Sequence, residues 1–404
     1  MLAALALAAC SGGGSPNAKK FDGTLLIAVN APFSRTPSVG QRIERGVKLA
    51  VDTLNTTGVV AGSKTYRLRV EVLDNGLSPA RAVRNVRRAI RDGAVAIVDE
   101  GTGVDASWRV ADAAHVPLCI VYQGGQGLVD PERRPNVFRI APTDHGISFR
   151  LAEYLVPKGL KIAFLTDDSD YGRQGLDALR NAFRTTPKAV AVQIELPASA
   201  TDVAPQVLQA RRSGATALLV WAQSPVVAQT ISAARSSGWH VPIYTAASGE
   251  DPLVRQELAD QPRWVDGLTF AAGRMTAEGG PGPFLDFQAR YAATYGRERV
   301  GVKGPTGLPV VSPPDYAMYP YDFVNVLAVA VTAAKSTDRS AILRQLNEVS
   351  VRGANGDERG FNFKNHEGVV DDDVYFARFR DMVYSPVKDD PLSSTLPMIA
   401  QEVR

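Results

Sequence analysis

Short apolar runs alternate with stretches of helical periodicity along most of the chain. Leu25–Val29 is a continuous apolar run that is typical of a buried parallel strand. The residues that follow place apolar side chains at helical spacing, at Ile43, Val47, Val51 and Leu54. Strands that alternate with helices in this way predict parallel sheets covered by helices.

The alternation divides into two series, which predict two similar α/β lobes. The first series has, in chain order, strand 25–29, helix 39–54, strand 66–73, helix 78–91, strand 95–98, helix 105–114 and strand 118–122. The second has helix 145–156, strand 161–165, helix 173–183, strand 190–196, helix 202–213, strand 217–221, helix 226–237 and strand 243–245. A segment around Arg139 to Asp144 connects the two series.

The last third of the chain has a different pattern. Helical spacing predicts helices at 284–295, 319–334 and 340–349. The stretch from Gly301 to Pro314 is rich in Gly and Pro and shows no periodicity, so we expect a loop there. Residues 359–363 and 374–380 alternate between apolar and polar side chains, which predicts a closing hairpin.

Charge gives no indication of a nucleic-acid partner. The formal net charge is only +3 over 404 residues, which is too small to suggest a nucleic-acid-binding surface. The predicted helix 78–91 is rich in arginine, but its arginines lie opposite Val83, Val86 and Ile90. A solvent-facing helix surface is therefore favoured over a nucleic-acid patch.

The two cysteines and four histidines indicate neither a metal site nor a cofactor. The histidines are far apart in sequence and none has metal-ligand spacing. Cys119 lies in an apolar, strand-like run, where a buried and unreactive thiol is favoured.

Cys10 lies between an apolar run and a flexible polar tether, Ser11-Gly-Gly-Gly-Ser-Pro16. This arrangement resembles a bacterial lipoprotein signal, and Leu7-Ala8-Ala9-Cys10 fits its cleavage box. The resemblance implies that Cys10 carries a lipid and that the protein is extracytoplasmic and membrane-anchored. A short apolar terminus with an incidental cysteine is the alternative, because the basic residues that usually open a signal peptide are absent. The apolar run is also far shorter than the roughly 20 residues of a membrane-spanning helix.

The order of elements, together with several local motifs, resembles the type I periplasmic binding proteins, and most closely the leucine/isoleucine/valine-binding receptors of ABC importers. The motifs are Ala31-Pro-Phe-Ser34, Gly46-Val-Lys-Leu-Ala50, Asp74-Asn-Gly-Leu-Ser-Pro-Ala80, Asp167-Asp-Ser-Asp-Tyr171-Gly172, Tyr321-Asp322 and the stretch from Gly360 to Gly368. The likeness runs from Gly23 to about Arg380. It implies two Rossmann-like lobes with parallel sheets, joined by three crossovers, and a ligand held between the lobes.

The resemblance also implies a division of the chain and a set of partners. We expect a signal and tether at 1–23, an N-terminal lobe from 24–142 plus 273–350, a C-terminal lobe from 143–272 plus 351–385, and a tail at 386–404. Hinge closure on a small ligand and delivery to ABC permease and ATPase subunits are the implied function. A branched-chain amino acid or a related amide or acid is the implied ligand. A receptor subunit that reports ligand to a signalling partner is the alternative function.

Residue by residue, the resemblance assigns the ligand to loops that follow strands. Thr102, with Gly103, matches a family hydroxyl that holds the ligand carboxylate, and Tyr171 matches an aromatic that closes over the ligand. Glu250, or Asp251 beside it, stands near the family acid that pairs with the α-ammonium. The remaining expected ligand contacts are Ser34, Gln123, Gly124, Gly125, Gln223, Ser248, Tyr319 and Tyr321.

These assignments have plainer alternatives, and the loops depart from the family pattern. Thr102 could be only a helix N-cap, Tyr171 could be core packing and Glu250 could be a surface carboxylate. The loops Gly101–Asp105 and Gln123–Gly127 contain fewer hydroxyls than amino-acid receptors usually show. Asp105 is a further candidate contact for a cationic or amide group, so the ligand class stays open.

An enzymatic interpretation rests on one motif. Gly101-Thr-Gly103-Val-Asp-Ala106 follows a predicted strand and opens a helix, as the dinucleotide fingerprint does. However, it follows the third strand of its series, and the next strand ends in Tyr122-Gln123 without the acid expected for a ribose. We therefore predict a binding protein and not an enzyme.

Overall fold

The computed structural model of the chain describes residues 20–273, 282–369 and 374–395. Cys10 and most of the expected tether lie outside the described residues, so lipidation stays a prediction. The described residues form two large β-sheets, each with helices packed against it, and two short hairpins.

The first sheet has six strands in the order β2-β3-β1-β4-β5-β6. The strands are β1 (Gly23–Ala31), β2 (Val59–Ala61), β3 (Lys64–Asp74), β4 (Ala94–Asp99), β5 (Leu118–Ile120) and β6 (Val137–Arg139), and the helices between them are α1 (Pro37–Asn55), α2 (Pro79–Arg91) and α3 (Val104–Asp112). All neighbouring strands are parallel except β2, which pairs antiparallel with β3. Strand β4 is buried along its full length, which explains its unbroken apolar sequence.

The second sheet begins with five parallel strands in the order β8-β7-β9-β10-β11. They are β7 (Ile162–Asp167), β8 (Val190–Leu196), β9 (Ala217–Trp221), β10 (Ile243–Thr245) and β11 (Thr269–Gly273), and the helices of this part are α4 (Asp144–Leu155), α5 (Asp170–Ala182), α6 (Ala204–Arg212), α7 (Ser224–Ser236) and α8 (Pro252–Glu257). The expected α/β architecture of two lobes with parallel sheets is confirmed.

The C-terminal part contributes to both sheets. Its elements are α9 (Gly282–Tyr295), β12 (Glu298–Lys303), β13 (Pro309–Ser312), α10 (Asp315–Ala334), α11 (Arg339–Leu346), β14 (Ser350–Arg352), β15 (Glu358–Gly360), β16 (Val374–Arg380) and β17 (Val383–Pro386). Strand β16 joins the second sheet antiparallel to β11, and β17 follows antiparallel to β16. Helix α10 packs against α1 in the first lobe, which we define as β1–β6 with α1–α3 and α9–α11. The second lobe is β7–β11, β16 and β17 with α4–α8.

The contact between α1 and α10 gives a physical reason for one of the family-like motifs. A Cβ atom at Gly46 would collide with the backbone carbonyl of Ala317 and with Pro320, so the two helices approach each other where Gly46 lacks a side chain. Helix α10 is long and apolar enough to cross a membrane by composition alone. However, 67% of the relevant window, Tyr316–Ala334, is buried inside the lobe, as expected of a core helix.

The arginine-rich helix α2 has the orientation expected from its sequence. Ser78 caps it by accepting a hydrogen bond from the Arg81 amide, and Pro79 occupies its first turn. Ala82, Val86 and Ala89 are buried against the sheet. The arginines remain at the surface, where Arg88 pairs with Glu71 of β3 at 2.7 Å.

Two expectations about the C-terminal part are wrong. The stretch 301–314 is not a plain loop, because β12 and β13 form an antiparallel hairpin whose valines, Val300 and Val310, are buried in the second-lobe core. Residues 359–363 and 374–380 do not pair with each other. Strand β15 pairs with β14 instead, and β16 pairs with β11, which lies about a hundred residues earlier in the chain.

Residues 351–369, which the sequence placed in the C-terminal lobe, make their described contacts with the first lobe. Arg359 of β15 lies 3.3 Å from Asp322 of α10, and both side chains are buried. The 366–368 segment runs along β6, where the Arg139 amide donates to the His366 carbonyl and the Gly368 amide donates to the Arg139 carbonyl. The chain therefore leaves the first lobe after residue 369 and not after residue 350.

The stretch expected to be a C-terminal tail packs on the second lobe as far as it is described. Asp390 accepts two 3.0 Å hydrogen bonds from Arg150 of α4. The Ser393 hydroxyl accepts a hydrogen bond from the Phe376 amide of β16, and Val387 is fully buried. Residues 387–395 are thus part of the folded lobe.

Candidate functional site

Both sheets reverse their strand order beside their first strand, which places a crevice at the carboxyl ends of neighbouring strands. In the first lobe the reversal lies between β1 and β4, and in the second it lies between β7 and β9. Ligands of open α/β sheets bind outside the carboxyl ends of strands at such a switch point. The loops that follow β4, β5, β7, β9 and β10 therefore define the candidate site.

The first-lobe switch point is tied together by a buried aspartate. Asp99, the last residue of β4, accepts a 2.7 Å hydrogen bond from the side-chain amide of Asn30 on β1. It accepts another from the backbone amide of Gly101. Burial raises the pKa of Asp99 to about 7, and both hydrogen bonds oppose that shift. The two strand ends are thus held in register by one side chain.

The next residue, Glu100, occupies the donors that the sequence had assigned to a ligand. Its carboxylate accepts from the Thr102 amide at 3.2 Å, from the Gln123 side chain at 2.8 Å and from the Asn75 side chain at 3.3 Å. The Gln123 side chain also donates to the Thr102 hydroxyl at 3.1 Å. Burial raises the pKa of Glu100, while these hydrogen bonds lower it. The chain therefore places its own carboxylate at the Thr102 loop.

The second loop, Gln123–Gly125, is held from behind by Arg139. The guanidinium donates to the carbonyls of Gln123 and Gly125 at 3.2 and 3.0 Å. Its other nitrogens pair with Glu367 at 2.6 and 2.8 Å. The positive charge of this buried arginine is thus matched by Glu367, and its hydrogen bonds fix the shape of the loop.

The second-lobe wall repeats the arrangement of the first. Asp167, the last residue of β7, accepts a 2.6 Å hydrogen bond from the Gln223 amide after β9. Tyr171, in the first turn of α5, belongs to this wall, and its ring centroid lies 6.0 Å from that of Trp221. Burial raises the pKa of Tyr171 above its usual value and the Asp144 carboxylate adds to the shift, while Ser248 opposes it. Tyr171, Asp144 and Ser248 therefore lie close together.

The two walls meet across the cleft. The Ser38 hydroxyl at the start of α1 lies 3.3 Å from the Asp251 carboxylate of the second lobe. Gly125 of the first lobe lies directly against the side-chain amide of Gln174 on α5, where any Cβ would collide with Oε1. Tyr122, which follows β5, lies in this contact region. Burial raises its pKa well above the usual value, with further contributions from Asp251, Tyr171, Glu100 and Glu250.

Asp144 is the most unusual polar group in the cleft. It begins α4, directly after the first passage between the lobes, and is only 2% exposed. Its Oδ2 has no hydrogen-bond partner within the described parts of the chain, while Oδ1 lies where a Cβ of Gly124 would come within 2.5 Å. Burial raises the pKa of Asp144 to about 7, and the Arg139 charge acts in the opposite direction. A buried carboxylate oxygen without a donor is an acceptor available to a ligand.

The structure brings most of the expected ligand contacts together and leaves several outside. The expected residues found at the cleft are Thr102, Gln123, Gly124, Gly125, Tyr171, Gln223, Ser248 and Glu250. Glu250, the expected ammonium partner, also accepts a 3.2 Å hydrogen bond from Tyr384 of β17. The Glu250 carboxylate also lies close enough to the buried Arg255 to favour the charged form of that guanidinium.

The other expected residues have structural surroundings. Ser34 is exposed and donates its hydroxyl to Asp74 at 2.6 Å. Gly103 adopts the left-handed conformation (φ 77°) at the start of α3, with Pro79 of α2 close to its missing side chain. Tyr321 packs on Phe287 and accepts from Arg290 at 3.3 Å.

Two further candidates remain. Tyr319 is 3% exposed, and its ring packs edge-on against Tyr316, whose ring lies 4.9 Å from that of Tyr122. Asp105 points to the surface and pairs with Arg134 at 2.7 Å, so it is not a cleft residue.

Sequence reasoning missed Glu100, Tyr122, Asp144 and Gln174. Glu100 and Tyr122 each follow or end a buried strand, so their position beyond a strand end was a usable signal. Asp144 was read only as part of the connection between the lobes, and Gln174 as a helix residue. In the described residues, no group of three His, Cys, Asp or Glu side chains is placed to hold a metal ion.

Comparison with known proteins decides the family. A family model described as "Periplasmic binding protein" matches residues 25–382, nearly all of the described chain. The chain belongs to this family. Within it, the chain has the fold of the type I periplasmic binding proteins.

The relatives are distant but span the whole domain. "Leu/Ile/Val-binding protein homolog 7" of Brucella abortus is 23% identical over 380 residues, which cover 90% of this chain and 89% of that protein. A type 1 periplasmic binding protein from Bordetella pertussis superposes with a TM-score of 0.79 at 21% identity, over 90% of this chain and all of that one.

Two ligand-bound structures have the same fold. The branched-chain amino acid transporter substrate binding protein LivJ of Streptococcus pneumoniae, in complex with isoleucine, has a TM-score of 0.75 at 20% identity and covers 90% of this chain and 98% of its own. An ABC transporter solute binding protein of Rhodopseudomonas palustris, in complex with 3,4-dihydroxybenzoic acid, has a TM-score of 0.72 at 18% identity, with 90% and 95% covered.

Membership of this family settles the enzymatic alternative. Periplasmic binding proteins are extracytoplasmic solute-binding proteins and not enzymes, so the dinucleotide interpretation of Gly101–Ala106 does not hold. The structure gives the physical reason. The amides of Gly101 and Thr102, which a pyrophosphate would need, already bond to the carboxylates of Asp99 and Glu100.

Proposed function

We propose that this protein captures a small polar solute between its two lobes and delivers it to the permease and ATPase subunits of an ABC importer. A lipid on Cys10 would anchor it at the outer face of the membrane. The observation that carries the proposal is the meeting of the two switch points. Buried polar side chains from both lobes, Gln123 and Ser248 among them, converge on the region around Tyr122.

Hinge closure is the proposed mechanism of capture. The chain passes between the lobes after β6, after β11 and after residue 369, so three connecting strands of chain are available as hinges. The contacts that cross the cleft at Ser38–Asp251 and Gly125–Gln174 are those that domain opening would separate. A solute that bridges the walls would favour the arrangement in which these contacts form.

The family relatives support an amino acid or a related amide or acid as the class of solute. A melting-temperature screen of the full chain carrying Cys10→Ser, against amino acids, amides, amines and small acids, tests this directly. A ligand at a hundred times its Kd adds about 2.7 kcal/mol to the free energy of unfolding. One class of compound is expected to raise the melting temperature, whereas a screen without any shift contradicts the proposed function.

Import and sensing are separated by a second measurement. Deleting the chromosomal copy should abolish uptake of the radiolabelled compound found in the screen, and a Cys10→Ser copy should restore less uptake than the natural one. Unchanged uptake together with a lost transcriptional response to the compound would support the receptor alternative instead.

A further inference from the structure

The Thr102 loop, which the resemblance assigned to a ligand carboxylate, is already filled by a carboxylate of this chain. Glu100 takes the Thr102 amide, the Gln123 side-chain amide and the Asn75 side-chain amide as its donors. It is 2% exposed, so solvent does little to screen its charge. A ligand carboxylate at the same donors would lie beside Glu100, and two adjacent buried carboxylates resist being ionised together.

The Asp144 carboxylate requires a partner of the opposite kind. Asp144 is only 2% exposed, and its Oδ2 has no hydrogen-bond partner in the described residues. Leaving such a group without a donor is unfavourable. An N–H group of a bound solute would satisfy this oxygen, and a positively charged N–H group would also neutralise it.

Gln174 of α5, in the same lobe as Asp144, adds a second acceptor. Its side-chain Oε1 is buried and likewise lacks a partner among the residues described. It lies against Gly125, at the contact between the two lobes. Asp144 and Gln174 thus offer acceptors from both sides of the Gly124–Gly125 turn.

The charges around the cleft lead to the same conclusion. Four carboxylates lie at it, Glu100, Asp144, Glu250 and Asp251, each at most 7% exposed. Two buried arginines near them are already engaged. Arg139 pairs with Glu367, and Arg255 donates to the Met382 carbonyl and to Ser312 while lying beside Glu250.

We propose that the cleft selects solutes whose polar head is an N–H donor, a primary ammonium or a primary amide, with Asp144 as its acceptor, and disfavours solutes that must place a carboxylate at the Thr102 loop. This inference rests on the proposed function, because it specifies the solute of the same cleft. Tyr122 and Tyr316, whose ring centroids are 4.9 Å apart, supply aromatic faces beside it. Such faces accept ammonium groups and pack against apolar tails.

Matched triples of compounds test the proposal. Each triple keeps one apolar group and changes only the head: leucine, leucinamide and 3-methylbutylamine; phenylalanine, phenylalaninamide and 2-phenylethylamine; benzoate, benzamide and benzylamine. Binding to the full Cys10→Ser chain is measured by titration calorimetry at pH 7.5. We expect the amide or amine of at least one triple to bind about ten-fold or more tightly than its acid, a difference of about 1.4 kcal/mol.

Two variants assign the effect to residues. Asp144→Asn keeps the shape and removes the charge, so binding of benzylamine should weaken by about ten-fold or more, and by more than binding of benzamide, which carries no ammonium group. Glu100→Gln keeps an acceptor for the Thr102 amide and removes the like charge. It should improve binding of the acid while leaving the amide within about two-fold. The melting temperature of each ligand-free variant establishes that it folds.

The outcomes distinguish failure of the head-group inference from failure of the proposed function. If the acid of every binding triple binds the natural sequence at least as tightly as its amide and amine, the head-group inference is wrong and solute capture stands. If Asp144→Asn leaves amine binding unchanged, Asp144 is not the acceptor and the inference is also wrong. If no compound of any triple or of the wider screen binds, the proposed function fails and the inference fails with it.

Discussion

Arg139 and Glu367 form a doubly hydrogen-bonded ion pair, with Nη2–Oε1 and Nε–Oε2 distances of 2.6 and 2.8 Å. The pair joins the end of β6, where the chain first leaves the first lobe, to the segment that precedes its final passage. The remaining Arg139 nitrogen holds the carbonyls of Gln123 and Gly125. The guanidinium fork suits this role because it can serve a carboxylate and a loop at once.

Glu367→Gln should therefore destabilise the protein and weaken solute binding together. Arg139 is only 3% exposed, so removing its counter-charge leaves a buried cation with neutral acceptors. We expect the free energy of unfolding in urea to fall by about 1 to 3 kcal/mol. The surface pair Lys48–Glu44 is the control, since Glu44→Gln should change stability by at most about 0.5 kcal/mol. Equal effects of the two substitutions would contradict the assigned role of Glu367.

Gly125→Ala should impair closure without unfolding either lobe. Its Cβ would meet Gln174 Oε1 on the opposite wall, so closure would require the Gln174 side chain to turn away from the contact or the two lobes to stay further apart. We expect affinity for the solute found by the melting screen to fall about ten-fold or more, while the melting temperature of the ligand-free protein stays close to that of the natural sequence.

Two companion variants make the test of closure specific. Gly282→Ala at the start of α9 has nothing within 4 Å of the added Cβ and should not change affinity. Adding Gln174→Ala to Gly125→Ala removes the collision and should recover part of the lost affinity if closure is the cause. A double variant that binds no better than Gly125→Ala would point instead to a change in the Gln123–Gly125 loop itself.

The sequence was informative where local pattern and local structure coincide. Strands 217–221 and 243–245 have the predicted bounds, because buried parallel strands are short apolar runs between polar turns. The sequence did not predict the pairing of strands that lie far apart in the chain. Strand β16 pairs with β11, and nothing in either segment alone specifies that partner.

The candidate site shows the same limit. Thr102 and Gln123 were found because the family places ligand contacts after strands, and the structure joins their side chains at 3.1 Å. The decisive fact, that Glu100 occupies their donors, depends on how one side chain turns inside the loop. Asp144 is an ordinary acidic residue of a first helical turn in the sequence, and only tertiary packing buries it.

Asp322→Asn should be strongly destabilising although Asp322 is far from the solute. The carboxylate lies 3.3 Å from Arg359 and accepts a 2.7 Å hydrogen bond from the Ala354 amide, which fastens the β14–β15 hairpin to α10. Loss of its charge leaves Arg359 buried with weaker compensation, so we expect a loss of about 3 kcal/mol in urea unfolding. The Asp338 cap of α11 is a milder comparison, since Asp338→Ala should cost about 1 kcal/mol. A smaller effect at Asp322 than at Asp338 would contradict this account of the Tyr321-Asp322 motif.

Asp144 should also make the ligand-free protein less stable as pH rises. Burial raises its folded-state pKa from 3.8 to about 7, with Arg139 opposing the shift and Tyr171 as a neighbour in the same lobe. Between these pH values the folded state keeps a proton that the unfolded state releases. The free energy of unfolding therefore falls as pH rises through this window and levels off above pH 7, with a slope of at most about 1.4 kcal/mol per pH unit from this group.

Urea unfolding of the natural sequence and of Asp144→Asn at pH 5, 6, 7 and 8 isolates this contribution. Asp99 and Asp322, whose pKa values are also raised by burial, to about 7 and about 6, titrate alike in both proteins and cancel in the difference. The natural sequence should lose about 2 to 3 kcal/mol more than Asp144→Asn between pH 5 and pH 7. Asp177→Asn changes an exposed carboxylate beside Arg180 and should follow the natural sequence. Parallel curves for the natural sequence and Asp144→Asn would mean that Asp144 is ionised in the ligand-free cleft. The conclusion that its carboxylate is buried without a donor would then be wrong.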